Sequence, residues 1–305
     1  MVENKIRLGI DLGGTKIEII ALDEAGNTLQ RERVKTPQDD YQMILKVIAD
    51  LVQHTEDTLG LKGTLGICTP GAISPASGLL RNSNSICLNG KPFKQDLEKA
   101  LGRDISIAND ANCFALSEAV DGAAKGKKIV FGVIVGTGTG AGIVIDKKVL
   151  NGSNAIAGEW GHNPLPWPKA VELPGLDCYC GKKGCIETWL SGPGFVKNFF
   201  ASDHRSLSVE QIVLAAEKGD TSCETALCKY EDRMARGLAH VINILDPDVI
   251  VLGGGMSNIN RLYQNVPRLW EQYIFSDHVN TKLLLPVHGD SSGVRGAAWL
   301  SSVMQ

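Results

Sequence analysis

Apolar residues alternate with polar ones, or run on unbroken, over 6–11, 16–22 and 28–34, and the gaps hold Gly13-Gly14 and Asp23-Glu24-Ala25-Gly26-Asn27. Turn residues placed between such runs predict three short strands joined as hairpins. Over 39–58, Tyr41, Ile44, Leu45, Val47, Ile48, Leu51 and Val52 recur at helical spacing, which predicts an amphipathic helix laid on that sheet. A strand at 64–68, a Pro- and Gly-rich loop at 69–78, a strand at 105–108 and an Ala-rich helix at 110–124 follow. The order then starts again with a strand at 129–135, a glycine-rich turn at 136–142, a strand at 143–145 and a turn near Asn151-Gly152. Residues 154–194, rich in Pro, Gly, Cys and His, break the pattern and read as an inserted functional segment. Beyond them the pattern predicts helices at 208–218 and 223–245, a strand at 248–252, a helix at 258–273, a strand at 282–287 and a closing helix at 293–301. The repeated order implies a topological duplication: two α/β halves facing each other across a cleft, where ligands bind at glycine-rich strand ends.

Composition narrows the function. A length of 305 residues suggests two domains. With 31 Lys and Arg against 34 Asp and Glu and no long single-sign block, neither nucleic acid nor an anionic membrane is expected as a partner. Hydrophobic residues at 43% and charged residues at 21% fit a globular enzyme rather than a disordered chain. The longest apolar stretches, 129–135 and 249–252, fall far short of a membrane span, and the first residues lack a signal-type apolar run, so a cytoplasmic protein is expected. In that reducing setting eight Cys point to metal binding and plain burial rather than disulfides.

Three glycine turns carry candidate chemistry. Asp11, Gly13, Gly14, Thr15 and Lys16 lie between two strands, where backbone amides and the Thr15 hydroxyl can approach a phosphate and the Asp11 carboxylate can hold the Mg²⁺ of a nucleotide. The order Gly14-Thr15-Lys16 followed by a strand pattern disfavours a P-loop. Gly136, Thr137, Gly138 and Gly140 belong to a second turn that also runs on into a strand, so a dinucleotide pyrophosphate would lack its helix N-terminus and a nucleotide phosphate fits better. Gly254 and Gly255, after the strand at 248–252, suit a flat base or ribose, although a plain strand-to-helix connection explains them equally well.

Cys178, Cys180 and Cys185 with His162 upstream offer three thiolates and one imidazole, a full tetrahedral set for a closed structural zinc site. Three Cys within eight residues of a Gly-rich loop belong to no apolar stripe, which argues against mere burial. Glu159 lies three residues before one ligand and Glu187 two after another, so an ion there would tie together two carboxylates able to bind sugar hydroxyls.

Taken together, the segment 9–16, Asn109-Asp110, the turn 136–142, Gly158-Glu159-Trp160-Gly161-His162, Cys178-x-Cys180-Gly-x-x-Gly-Cys185 and the turn 253–255 resemble the ROK family of repressors and sugar kinases, over essentially the whole chain. The strings 88–93, 118–124, 161–167 and 289–299 are similar to those of bacterial fructokinases, also called manno(fructo)kinases, although Cys87 stands where those relatives carry Trp. The resemblance implies an actin-like ATPase (ribonuclease H-like) α/β fold of two duplicated lobes. These would be 1–122, to which a closing helix at 292–305 returns, and 123–291 with a zinc loop at 155–190. It implies ATP with Mg²⁺, structural Zn²⁺, a homodimer, and phosphoryl transfer to the 6-hydroxyl of fructose, with mannose a further substrate.

An Asn-Asp pair opening a helix is ordinarily a cap; the resemblance makes Asp110 the base and Asn109 a sugar ligand, and the helix N-terminus should keep the Asp110 carboxylate charged. Glu159, His162 and Glu187 resemble the remaining sugar-binding set, with Gly71 and Asn84 closing the pocket. A glucose or N-acetylhexosamine kinase is the alternative within the family. A sugar-responsive repressor would need a DNA-reading domain before the first strand, where five residues precede Ile6.

Overall fold

β1 (Ile6–Leu12), β2 (Lys16–Leu22) and β3 (Thr28–Lys35) form the expected meander, with Ile10 opposite Ile19 and Ile17 opposite Val34 in antiparallel register. The structure is a computed structural model and describes residues 6–83 and 85–301. Helix α1 (Tyr41–Leu59) begins at Asp40, whose carboxylate accepts from the Met43 amide at 3.0 Å, and stops at Gly60 in the left-handed region. It buries Ile44, Leu45, Ile48, Leu51 and Val52, the stripe read from the sequence. Next come β4 (Gly63–Thr69), the small hairpin β5 (Ala72–Ile73) and β6 (Leu80–Arg81), α2 (Phe93–Leu101), β7 (Ser106–Asn109) and α3 (Asp110–Val120). The first sheet runs β3-β2-β1-β4-β7, with β1, β4 and β7 parallel.

The second half comprises β8 (Ile129–Val135), β9 (Thr139–Ile145), β10 (Lys148–Val149), α4 (Ile186–Leu190), α5 (Gly192–Asp203), α6 (Val209–Glu217), α7 (Thr221–Leu245), β11 (Val249–Gly253), α8 (Leu262–Trp270), β12 (Lys282–Leu284) and α9 (Ser292–Leu300). Its sheet, β10-β9-β8-β11-β12, repeats the order of the first, and β8, β11 and β12 are again parallel. The duplication expected from the sequence is therefore present in the strand order. Among the described residues no helix is long and apolar enough to cross a membrane.

The chain packs into two compact units, Met1–Gly126 with Gly142–Ala157 and Val287–Gln305, and Lys127–Ala141 with Gly158–Pro286. The division expected at 122/123 assigned 142–157 to the second lobe, whereas this segment packs with the first. The reason is local: Gly142 sits so close to α3 that an added Cβ would lie 2.5 Å from the Ala111 carbonyl oxygen.

Helix α9 is seated in the first unit by missing side chains. A Cβ on Gly9 would meet the Val294 carbonyl oxygen at 2.2 Å, one on Gly66 that of Ala297 at 1.9 Å, and one on Gly296 that of Cys113 at 1.8 Å. α3 ends at Val120, short of the expected 124, because Asp121 leaves the helix to pair with Arg295, His288 Nε2 (3.0 Å) and Trp299 Nε1 (3.1 Å). The fully buried Glu118 accepts from the Ala123 amide at 2.9 Å, the Val287 amide at 3.1 Å and the Ser292 hydroxyl at 3.0 Å. Within the string 289–299, Ser292, Arg295, Gly296 and Trp299 thus have packing or pairing roles in the first unit.

In the second unit, a buried ion network fixes the segment before the cysteine cluster. Glu172 accepts from Arg236 Nη2 and Arg233 Nε, each at 2.8 Å, and Arg236 Nη1 donates to the carbonyls of Pro166 (3.1 Å) and Trp167 (2.9 Å). Burial pushes the Glu172 carboxyl up, but the two guanidiniums and the Lys169 amide outweigh it and hold it at about 2. A depressed carboxylate stabilises the fold above its unfolded value of 4.5 and loses that contribution as pH falls toward about 2. Glu172→Gln is expected to cost about 3 kcal/mol at pH 7 and to flatten the stability profile across that window. Thermal unfolding from pH 2 to pH 7 checks this; an unchanged profile would contradict it.

Candidate active site

In the first unit, three parallel strands bring their carboxyl ends into register. Asp11 on β1 lies beside Cys68 on β4, and Thr69 lies beside Asn109 on β7. Carboxyl ends of parallel strands are where α/β folds place ligands. Asn109 caps α3, accepting from the Asn112 amide at 2.8 Å, and the Asp110 carboxylate accepts from the Ala111 amide at 2.8 Å. Asp110 is open to solvent, yet enough protein surrounds it that lost hydration raises its carboxyl above the ordinary value despite these amide contacts. The amides of the helix N-terminus lower the carboxyl, as expected, but lost hydration outweighs them.

Asp11 is pushed up to about 6, first by lost hydration and then by the negative charges of Asp110 and Glu18, against the opposing Cys68 hydrogen bond and Lys16. A raised carboxyl means that the folded state binds the extra proton between about 4 and about 6, so this group's contribution to stability falls as pH rises through that window. Asp11→Asn should stabilise the ligand-free protein by up to about 3 kcal/mol at pH 7.5 and by little at pH 4. Calorimetry at the two pH values checks this, and equal effects at both would contradict it. In the turn after Asp11, the carbonyls of Gly13, Gly14 and Thr15 accept from Thr36 Oγ1 (2.7 Å), Gln38 Nε2 (2.9 Å) and the Thr36 amide (3.1 Å). Lys16 opens β2 and is exposed. Gly71 has φ +95°, and a Cβ there would lie 2.3 Å from the Arg81 carbonyl oxygen, so the loop after β4 requires glycine. Asn84 lies outside the described residues.

In the second unit, Gly136, Thr137 and Gly138 form the turn from β8 to β9, while Gly140 already lies in β9. The Gly136 amide donates to the Gly138 carbonyl at 2.9 Å, and the Gly192 amide donates to the Gly136 carbonyl at 2.8 Å. Gly254 (φ +79°) follows β11 and packs against the end of β8, where a Cβ would meet the Val135 carbonyl oxygen at 2.4 Å; Gly255 starts a short helical turn with open space around it. Glu187, in the first turn of α4, accepts from the Thr139 amide at 2.8 Å through Oε2. A residue expected on the sugar thus has one oxygen on the glycine turn. Glu159 is exposed and precedes the short turn Trp160–His162.

His162, Cys178, Cys180 and Cys185 converge, with their ligand atoms all within 4.8 Å of one another. Cys178 Sγ lies 3.6 Å from His162 Nδ1, and Cys180 Sγ lies 3.6 Å from Cys185 Sγ. Zinc bonds of about 2.3 Å to sulfur and about 2.0 Å to nitrogen give tetrahedral edges of roughly 3.8 Å and 3.6 Å. The four groups therefore fit such an ion. Local backbone shapes the cradle: Gly181 and Gly184 have φ of +87° and +67°, and the Cys178 amide donates to the Lys182 carbonyl at 2.8 Å. The other imidazole nitrogen, Nε2, lies 3.0 Å from the Tyr179 hydroxyl.

Each unit by itself thus gathers most of its expected residues: Asp11, Asn109 and Asp110 in one; the 136–138 turn, Glu187, His162 and the three Cys in the other. Sequence reasoning did not single out Cys68, Thr139 or Tyr179. Cys68 and Thr139 gave no signal beyond strand and turn patterning, whereas Tyr179 stood between two Cys ligands.

A family model described as the ROK family matches residues 7–303. A protein of Vibrio atlanticus (strain LGP32) named N-acetyl-D-glucosamine kinase is 39% identical over 300 residues, 96% of this chain and 98% of that protein. The crystal structure of a ROK hexokinase from Thermus thermophilus superposes with TM-score 0.86 at 29% identity, covering 97% of each chain. That of a ROK family glucokinase from Streptomyces griseus in complex with glucose and AMPPNP gives TM-score 0.73 at 26% identity, covering 96% of this chain and 98% of that one. The strand-end carboxylates, the glycine turns and this end-to-end similarity make the chain a member of the ROK family, a sugar kinase with the actin-like ATPase fold.

Proposed function

We propose that this kinase transfers the γ-phosphoryl group of ATP to a hydroxyl of an N-acetylhexosamine, N-acetyl-D-glucosamine first. The observation that carries the sugar assignment is the 39% identity, across nearly the whole chain, to the Vibrio atlanticus kinase of that name. A second reading, fructose, is favoured by the strings 88–93 and 161–167, which resemble those of fructokinases.

In either reading Asp110 accepts the hydroxyl proton as the new O–P bond forms, and a raised carboxyl makes it a better base than an ordinary Asp. Asn109, Glu159, His162 and Glu187, with Gly71 and Asn84, hold sugar hydroxyls. The Gly14, Thr15, Thr137 and Gly138 amides hold phosphates, the Gly13 and Gly136 amides being bonded within their own turns; Asp11 would hold the nucleotide's Mg²⁺, and Gly254 and Gly255 take the base and ribose. His162, Cys178, Cys180 and Cys185 would hold one Zn²⁺, which has a closed ligand set and so supplies structure rather than an activated water.

Initial rates of ADP release with N-acetylglucosamine, N-acetylmannosamine, glucose, mannose and fructose test the assignment. The expected result is a kcat/KM for N-acetylglucosamine at least tenfold above that for fructose. The reverse ratio would establish the second reading, and a preference for glucose or mannose would overturn both.

A further inference from the structure

Tyr179 lies between two members of the cysteine cluster, in a turn closed by the Cys178 amide on the Lys182 carbonyl (2.8 Å) and the Gly181 amide on the Cys178 carbonyl (3.0 Å). The backbone is therefore held, while the side chain is 82% exposed. An aromatic ring left in water gains little from packing. It is nonetheless oriented, edge-on to the His162 ring at 89° with centroids 5.1 Å apart and its hydroxyl 3.0 Å from Nε2.

The imidazole has two nitrogens with separate duties. Nδ1 faces the thiol cluster, 3.6 Å from Cys178 Sγ, which leaves Nε2 for any sugar hydroxyl. That nitrogen already has a partner. We propose that Tyr179 is a specificity-determining cap on His162: its phenol holds Nε2 in the free enzyme and yields it to a hexose hydroxyl on binding. The inference rests on the reading of His162 as a sugar ligand. Every sugar must repay the displaced hydrogen bond, so the cap lowers affinity for hexoses in general and admits only those that place a hydroxyl on Nε2.

The test is Tyr179→Phe, which keeps the ring edge and removes the hydroxyl, studied as the full-length protein. The expected result is a KM for the preferred hexose about three- to tenfold lower, the loss of one competing hydrogen bond, with kcat within twofold and metal content unchanged. In ¹⁵N-histidine spectra the free variant should differ from the free wild type at His162 Nε2, and the two should converge once saturated with hexose. An unchanged KM would overturn the cap, and a raised one would make Tyr179 a direct sugar ligand instead. Two failures are separable: if Nε2 responds to saturating hexose in neither protein, His162 is not a sugar ligand and both ideas fall. If it responds in both while KM values agree, the cap alone falls.

Discussion

Replacing Asp110 by Asn should lower kcat by about 10²–10⁴-fold while leaving the protein folded and able to bind ATP. The carboxylate opens α3 next to its cap, Asn109, and accepts from the Ala111 amide at 2.8 Å. An amide oxygen can accept the same bond, so the substitution preserves local geometry and removes only the capacity to take a proton. Because lost hydration raises the Asp110 carboxyl, its charged form costs the fold something, and the Asn variant should be at least as stable at neutral pH. The acid limb of kcat/KM in the wild type should accordingly lie above the range of an ordinary Asp, with activity lost as pH falls through it. Steady-state kinetics and thermal unfolding check both halves. Retention of a tenth or more of wild-type kcat would remove Asp110 from the base role.

Loss of the Zn²⁺ proposed at the cysteine cluster should have the second largest effect. Purified protein should carry one Zn²⁺ per chain, and chelation or Cys180→Ser should lower Tm by on the order of 10 °C and raise sugar KM at least tenfold. The path is short. Cys185 directly precedes α4, α4 carries Glu187, and Glu187 Oε2 accepts from the Thr139 amide in the glycine turn. Releasing Cys185 would therefore loosen that turn as well, and KM for ATP should rise together with that for sugar. Metal analysis with kinetics in both substrates checks this; unchanged folding and unchanged KM values after metal removal would contradict it.

Local signals were legible in the sequence, and their long-range partners were not. The cysteine cluster could be read because its ligands crowd into a few residues with glycines that let the chain turn. The longer strands, α1 and the duplicated order followed from periodicity, whereas the two-residue strands β5, β6 and β10 and the first residues of β9 did not. The lost hydration at Asp110, which outweighs the effect of the helix N-terminus, comes from tertiary packing. The end of α3 escaped prediction because Asp121 is drawn off by Arg295, His288 and Trp299, far along the chain. α5 begins Gly192-Pro193-Gly194, at the end of the segment read as a non-periodic insertion, although Pro suits the first turn of a helix and the Ser191 hydroxyl accepts from the Gly194 amide at 3.1 Å. The string 289–299 reads as a family signature, while Gly296 within it lets α9 lie against α3, and Gly9 and Gly66 let it lie against β1 and β4. Glu187 shows the same limit within the site: its residue type suggests sugar, and its contact with Thr139 appears only in three dimensions.

A structure of the complex with N-acetyl-D-glucosamine and a non-hydrolysable ATP analogue tests the central claim most directly. The account predicts a carboxylate oxygen of Asp110 within about 3 Å of the hydroxyl in line with the γ-phosphorus. A hydroxyl aligned for transfer with Asp110 beyond hydrogen-bond reach, even through one water, would contradict it.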